Sequence, residues 1–139
     1  MVVQDIWLKD YDWRATFFYA ENDCLCDSLF DELEKIECYG ADMDSIRDML
    51  RKCERNTGFT YTNRMDHGSV VFIAPTDSAE QFMDTFDHEK GHLAKHIAME
   101  CEIDPWGEEY QYLSGEIARQ TFPAVKQFLC DHCRHGRNI

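Results

Sequence analysis

Positive charge is scarce in this chain. Fourteen Lys and Arg stand against 27 Asp and Glu, which leaves a net charge of −13 over 139 residues. Nucleic-acid readers present a basic face to the phosphate backbone, so this balance argues against that class of partner. Docking on anionic membranes is disfavoured on the same ground. No apolar run approaches the ~20 residues that a membrane span needs. The opening Met1-Val2-Val3-Gln4-Asp5 lacks the basic and apolar regions of a signal peptide. Repeats and linkers are also lacking, and the expectation is one domain over residues 1–139. What is present is a chain that is 44% hydrophobic and 13% aromatic, enough for a core without staples. The seven cysteines are Cys24, Cys26, Cys38, Cys53, Cys101, Cys130 and Cys133. An odd count with no export signal predicts reduced thiols in a cytoplasmic protein, several of them filling core positions.

Runs of β-branched and aromatic residues predict strands at 2–8 and 13–19, separated by Lys9-Asp10-Tyr11-Asp12. Apolar positions Leu25, Leu29, Phe30, Leu33 and Ile36 recur at helical spacing over 23–38, and Tyr39-Gly40-Ala41 breaks that helix. A second helix is predicted over 43–55, stopped by Asn56-Thr57-Gly58. Two more strands follow at 59–62 and 69–74, joined by a turn with Asn63, Asp66 and Gly68. Thr76-Asp77-Ser78 offers N-caps, with Glu80 and Gln81 placed for a capping box on a long helix over 79–101. A last helix spans about 107–129, kinked or split by Pro123. The fold class is therefore α+β.

The long helix carries His88-Glu89-Lys90-Gly91-His92, an H-E-x-x-H pattern. Positions i and i+4 stack on one helix face, so two imidazoles can reach one metal ion while the Glu lies beside them as a base. Phe82, Phe86, Leu93 and Ile97, with Ala79, project to one side as the core face, and both histidines fall on an adjacent stripe. Two solvated histidines on an amphipathic helix are the plain alternative. His96 extends the series, but eight residues of helix rise about 12 Å, too far for His88 and His96 to share an ion. A cleft-lining role or a surface position is expected for it instead.

A catalytic zinc keeps three protein ligands, and a carboxylate from a second helix is one common solution. In the last helix Trp106, Tyr110, Leu113, Ile117 and Thr121 form the core stripe, Glu108 points away from it, and Glu109 and Glu116 share its flank. Glu109 is the expected third ligand, with Glu116 as support or substitute. Each of these glutamates is otherwise a solvated charge near a helix N-terminus.

With a strand at 69–74, the His88–His92 motif and Glu109 in that order, the chain resembles a small zincin of the gluzincin type. It is similar to compact metallopeptidase-like proteins of phages and mobile elements, and more loosely to ImmA/IrrE-like metallopeptidases. The resemblance covers residues 59–129 and is strengthened by Glu108-Glu109-x-x-Tyr112-Leu113-x-Gly115; residues 1–55 lie outside it. It implies a zincin-like fold, a Zn2+ cofactor held by His88, His92 and Glu109, and Glu89 as the catalytic base. It also implies a peptide or protein substrate lying along an edge strand, the role that falls to 69–74. A donor to the developing oxyanion is needed besides the metal; Tyr110, Tyr112, His96 and His67 are the candidates. Its metzincin variant does not fit, because no Gly follows His92 at the required turn.

Residues 130–139 add Cys130-Asp131-His132-Cys133 and His135, either a small second metal knot or free thiols. The functional expectation is a zinc-dependent peptidase. Its rivals are an inactive zincin-fold adaptor that retains zinc, and an α+β protein without metal.

Overall fold

The computed structural model describes residues 1–132. Among these, four strands form one mixed sheet with four α-helices about it. Strands β1 (Val2–Leu8) and β2 (Trp13–Tyr19) pair antiparallel around a 3-10 turn at Lys9–Tyr11. On its other side β2 runs parallel to β4 (Gly68–Ile73), with Phe17 opposite Val71. Strand β3 (Gly58–Asn63) closes the order β1-β2-β4-β3 by antiparallel pairing with β4. Helices α1 (Asp27–Lys35) and α2 (Gly40–Lys52) link β2 to β3, while α3 (Ala79–Glu100) and α4 (Glu108–Val125) follow β4.

Side chains alternate across a strand, and here both sides are dry. Phe17, Tyr19, Val71 and Ile73 point into a core shared with Phe82, Phe86, Leu93 and Ile97 of α3 and Leu113 and Ile117 of α4. Their neighbours Phe18, Val70 and Phe72 point into a second core with Leu29 and Leu33 of α1 and Met43, Ile46 and Leu50 of α2. All six β4 residues are buried. Among the described residues no helix is long and apolar enough to cross a membrane.

The long helix is where the periodicity placed it. Ser78 caps it, its side chain accepting from the Gln81 N–H at 3.1 Å. At the far end Glu102 is left-handed and the Ile103 N–H reaches back to the Ala98 carbonyl at 2.8 Å, which turns the chain towards α4. Pro123 sits in the last turns of α4, which continues to Val125 before tightening into a 3-10 turn at Lys126–Phe128.

Three expectations about the strands and helices are corrected. Helix α1 starts only at Asp27, because the Leu25 N–H donates to the Asp23 carboxylate (3.2 Å) and Cys24 is tied elsewhere; left-handed Glu37 follows its end. Residue Gly40 opens α2 instead of standing between helices. The 69–74 stretch is not an edge: β4 is hydrogen-bonded to β2 and β3 on its two sides, and the edge above α3 is β3.

Not all thiols are reduced. Cys24 and Cys53 form a disulfide with Cα atoms 5.6 Å apart, joining the loop after β2 to the end of α2 across 29 residues. Closing a loop of this length restricts the unfolded chain. Replacing both residues by Ala is expected to lower the unfolding free energy by about 2–4 kcal/mol, read from urea denaturation of both forms without reductant. Equal midpoints would mean that the bond does not restrain the unfolded chain.

Candidate functional site

Helix α3 divides its length between burial and exposure. Phe82, Phe86, Leu93, Ala94 and Ile97 fill the core, while Asp84, His88, His92 and His96 follow at intervals of four along one ridge. His88 and His92 are exposed and His96 is half-buried. The two exposed rings meet edge to face with centroids 4.7 Å apart, and their Nε2 atoms are 3.2 Å apart. Two nitrogens bound at 2.0–2.1 Å to one tetrahedral ion stand about 3.3 Å apart, so the pair fits two corners of a zinc site. Without an ion, the same spacing is a hydrogen bond from one Nε2–H to the bare Nε2 of the other ring.

Glu89 lies between this ridge and the sheet and is 5% exposed. A buried carboxylate needs a donor, and Thr60 of β3 supplies one: its hydroxyl lies 2.9 Å from Glu89 Oε1 and 3.1 Å from the Glu89 carbonyl. Gly58 leaves the room. A Cβ there would stand 3.1 Å from Glu89 Cγ and only 2.4 Å from the Phe72 carbonyl oxygen. Beside these residues opens a cleft of about 320 Å³ lined by Asn56, Thr57, Gly58, Asp84, Thr85, His88 and Glu89. The first residue of β3 with the two residues before it thus forms one wall, and the motif helix the other.

Next along the ridge, His96 Nδ1 is 2.7 Å from the Thr62 hydroxyl, and its ring lies 6.2 Å from that of His92. Burial, then the charges of His92 and Arg64, hold its pKa below the ordinary histidine value. Of the four expected oxyanion donors it alone belongs to this ridge. His67 stacks on Trp13 at 4.7 Å and its Nδ1 faces the Tyr11 carbonyl. Tyr110 lines an apolar hollow with Met99 and Trp106, and Tyr112 a largely polar one with Lys9, Asp10 and Arg119.

The structure joins His88 to His92 but does not bring Glu109 to them. Helix α4 packs on α3 and β1, whereas the histidine ridge faces β3 on the other flank. Glu109 accepts a hydrogen bond from the Tyr11 hydroxyl at 3.3 Å, and burial together with this carboxylate raises the Tyr11 pKa. It also helps to raise the Cys101 pKa, after burial and Glu100. Cys101 lies nine residues beyond His92, roughly 13 Å along the helix axis. Glu116 is held by Arg119 and Gln120, which lower its pKa, and Glu108 is exposed. Among the described residues no three His, Cys, Asp or Glu side chains are grouped closely enough to hold a metal. The proposed knot at Cys130, Cys133 and His135 has its last two members outside the described residues.

Thr60 and Thr62 were not singled out from the sequence, and Gly58 only as part of a helix stop. The signal was there in the period of two, which sets all three on one face of β3. Gly58→Ala is expected to destabilise the fold by about 1–3 kcal/mol, because the new methyl meets backbone at Phe72 and Glu89 beyond it. A melting temperature unchanged from wild type would show that the strand shifts freely away. Set against known proteins, the chain matches no family model, no curated protein and no solved structure.

Proposed function

We propose that the chain is a zinc-dependent hydrolase of peptide bonds, with His88 and His92 as metal ligands and Glu89 as general base. The observation that carries this reading is the 3.2 Å approach of the two Nε2 atoms, with Glu89 beside His88 in the lining of one cleft. A zinc ion in such a site polarises a carbonyl and acidifies water. The protein's own part is positional. Thr60 holds one oxygen of Glu89, leaving Oε2 to take a proton from water and return it to the departing amine. Strand β3, unpaired on its outer side among the described residues, offers backbone N–H and C=O groups along which an extended peptide can lie.

An adaptor that keeps zinc but does not cleave is the second reading. It is favoured by Glu109 being engaged with Tyr11, which leaves two protein ligands together among the described residues. Its acidic surface suits a basic partner. The cytoplasmic and mobile-element settings belong to the proposal as well. Against the first stands the Cys24–Cys53 bond, of a kind that persists in oxidising compartments.

Purified protein is expected to carry one zinc per chain, released by chelator, with affinity lowered at least ~100-fold in His88→Ala and His92→Ala. Glu89→Gln should retain the zinc while cleavage of denatured protein falls by about 10²–10⁴-fold. Zinc uptake without cleavage in wild type selects the adaptor. A chain that takes up no zinc, and is as stable in chelator as without it, overturns both readings.

A further inference from the structure

Trp13, Ser69, Thr62 and His96 stand in a row from the core to the histidine ridge, and its direction follows from which groups own hydrogens. The indole Nε1 only donates, so Ser69 Oγ, 3.0 Å away, accepts from it. Ser69 is 3% exposed, and its other side-chain neighbour is Thr62 Oγ1 at 2.8 Å. The Ser69 hydroxyl hydrogen therefore goes to Thr62. Having accepted, Thr62 directs its own hydrogen to His96 Nδ1 at 2.7 Å. The reverse order would have His96 donate to Thr62 and Thr62 to Ser69, and it would leave the Ser69 hydrogen buried without an acceptor.

We infer that Trp13, Ser69 and Thr62 form a one-way hydrogen-bond chain that fixes His96 with a bare Nδ1 and a hydrogen on Nε2. His96 is then a positioned donor next to His92, not a further metal ligand. An imidazole that holds a metal through one nitrogen donates the other N–H to a fixed acceptor. His96 does the opposite, because the nitrogen engaged by the protein is its acceptor. The group it suits is an oxygen of a bound molecule, such as a peptide carbonyl. That use rests on the hydrolase reading above; the tautomer does not.

The test is the ring ¹⁵N spectrum of the chelator-treated full chain, recorded where His96 is neutral. His96 should show an unprotonated Nδ1 and a protonated Nε2, with the other form at least about tenfold rarer. Ser69→Ala frees Thr62 to accept, and should shift the population towards the Nδ1–H form although residue 69 does not touch the ring. Thr62→Val should lower the preference to that of a free histidine ring, and Thr62→Ser preserve it. These two remain decisive if Ser69→Ala does not fold. A wild-type His96 protonated on Nδ1 overturns the inference, as does a population unmoved by either Ser69→Ala or Thr62→Val. Because no metal is present and no cleavage is read, its failure is distinct from that of the hydrolase reading, which fails on zinc uptake.

Discussion

Burial of β2 and β4 on both faces is the constraint on which the rest of this molecule depends. Two neighbouring parallel strands cannot be joined by a tight turn, so the chain must leave the sheet between them. It does so through α1 and α2, which cover one face, and re-enters the sheet as β3 before β4. The opposite face must then be covered by the chain beyond β4, and α3 and α4 do this. The alternation of Phe17 with Phe18, and of Val71 with Phe72, divides the apolar side chains between two cores. A shift of one residue in either strand would exchange the two sets.

Laying α3 on the sheet determines the character of its motif. The helix presents a core face wide enough to bury Phe82, Phe86, Leu93 and Ile97, and Glu89 falls at the margin of that face. A carboxylate there leaves water and must find a donor within the protein. Thr60 meets the need from β3, and Gly58 yields the space. One position further round the helix, His88 and His92 remain in solvent, free to converge on one another or on an ion. The same strand meets the next turn through Thr62 and His96. Helix α3 is thus gripped along β3 by polar contacts and over the sheet by apolar ones.

Much of this is legible in the sequence. Strands β1 and β2 lie where their aromatic and β-branched runs put them, and α3 begins directly after Thr76-Asp77-Ser78, the stretch that offered its caps. These features are local, since a run of side chains or a cap expresses its preference within a few residues. The early helices were less legible. Leu29 and Leu33 are buried in α1 as their spacing required, but Leu25 is exposed ahead of the helix, whose start depends on an Asp23 turn and on the tie from Cys24 to Cys53 that spacing does not record. The edge position was misplaced for a related reason: 59–62 and 69–74 read alike as strands, and only pairing tells the outer one from the inner one.

Glu109 marks the boundary between the two kinds of knowledge. Helical phase put it on the flank of α4 that borders the core, but phase does not say which neighbour that flank meets. In the structure it meets Tyr11 and the end of α3, because α4 crosses towards β1 while the histidines look towards β3. The sequence by itself determined the α+β class, the long capped helix and the i, i+4 stacking of His88 and His92, all consequences of short-range backbone geometry. Only the tertiary structure decided that Glu89 is buried on Thr60 and Gly58, that β3 is the edge, and that Glu109 lies apart. Those outcomes depend on how two covered faces of one sheet apportion space, and no single segment carries that information.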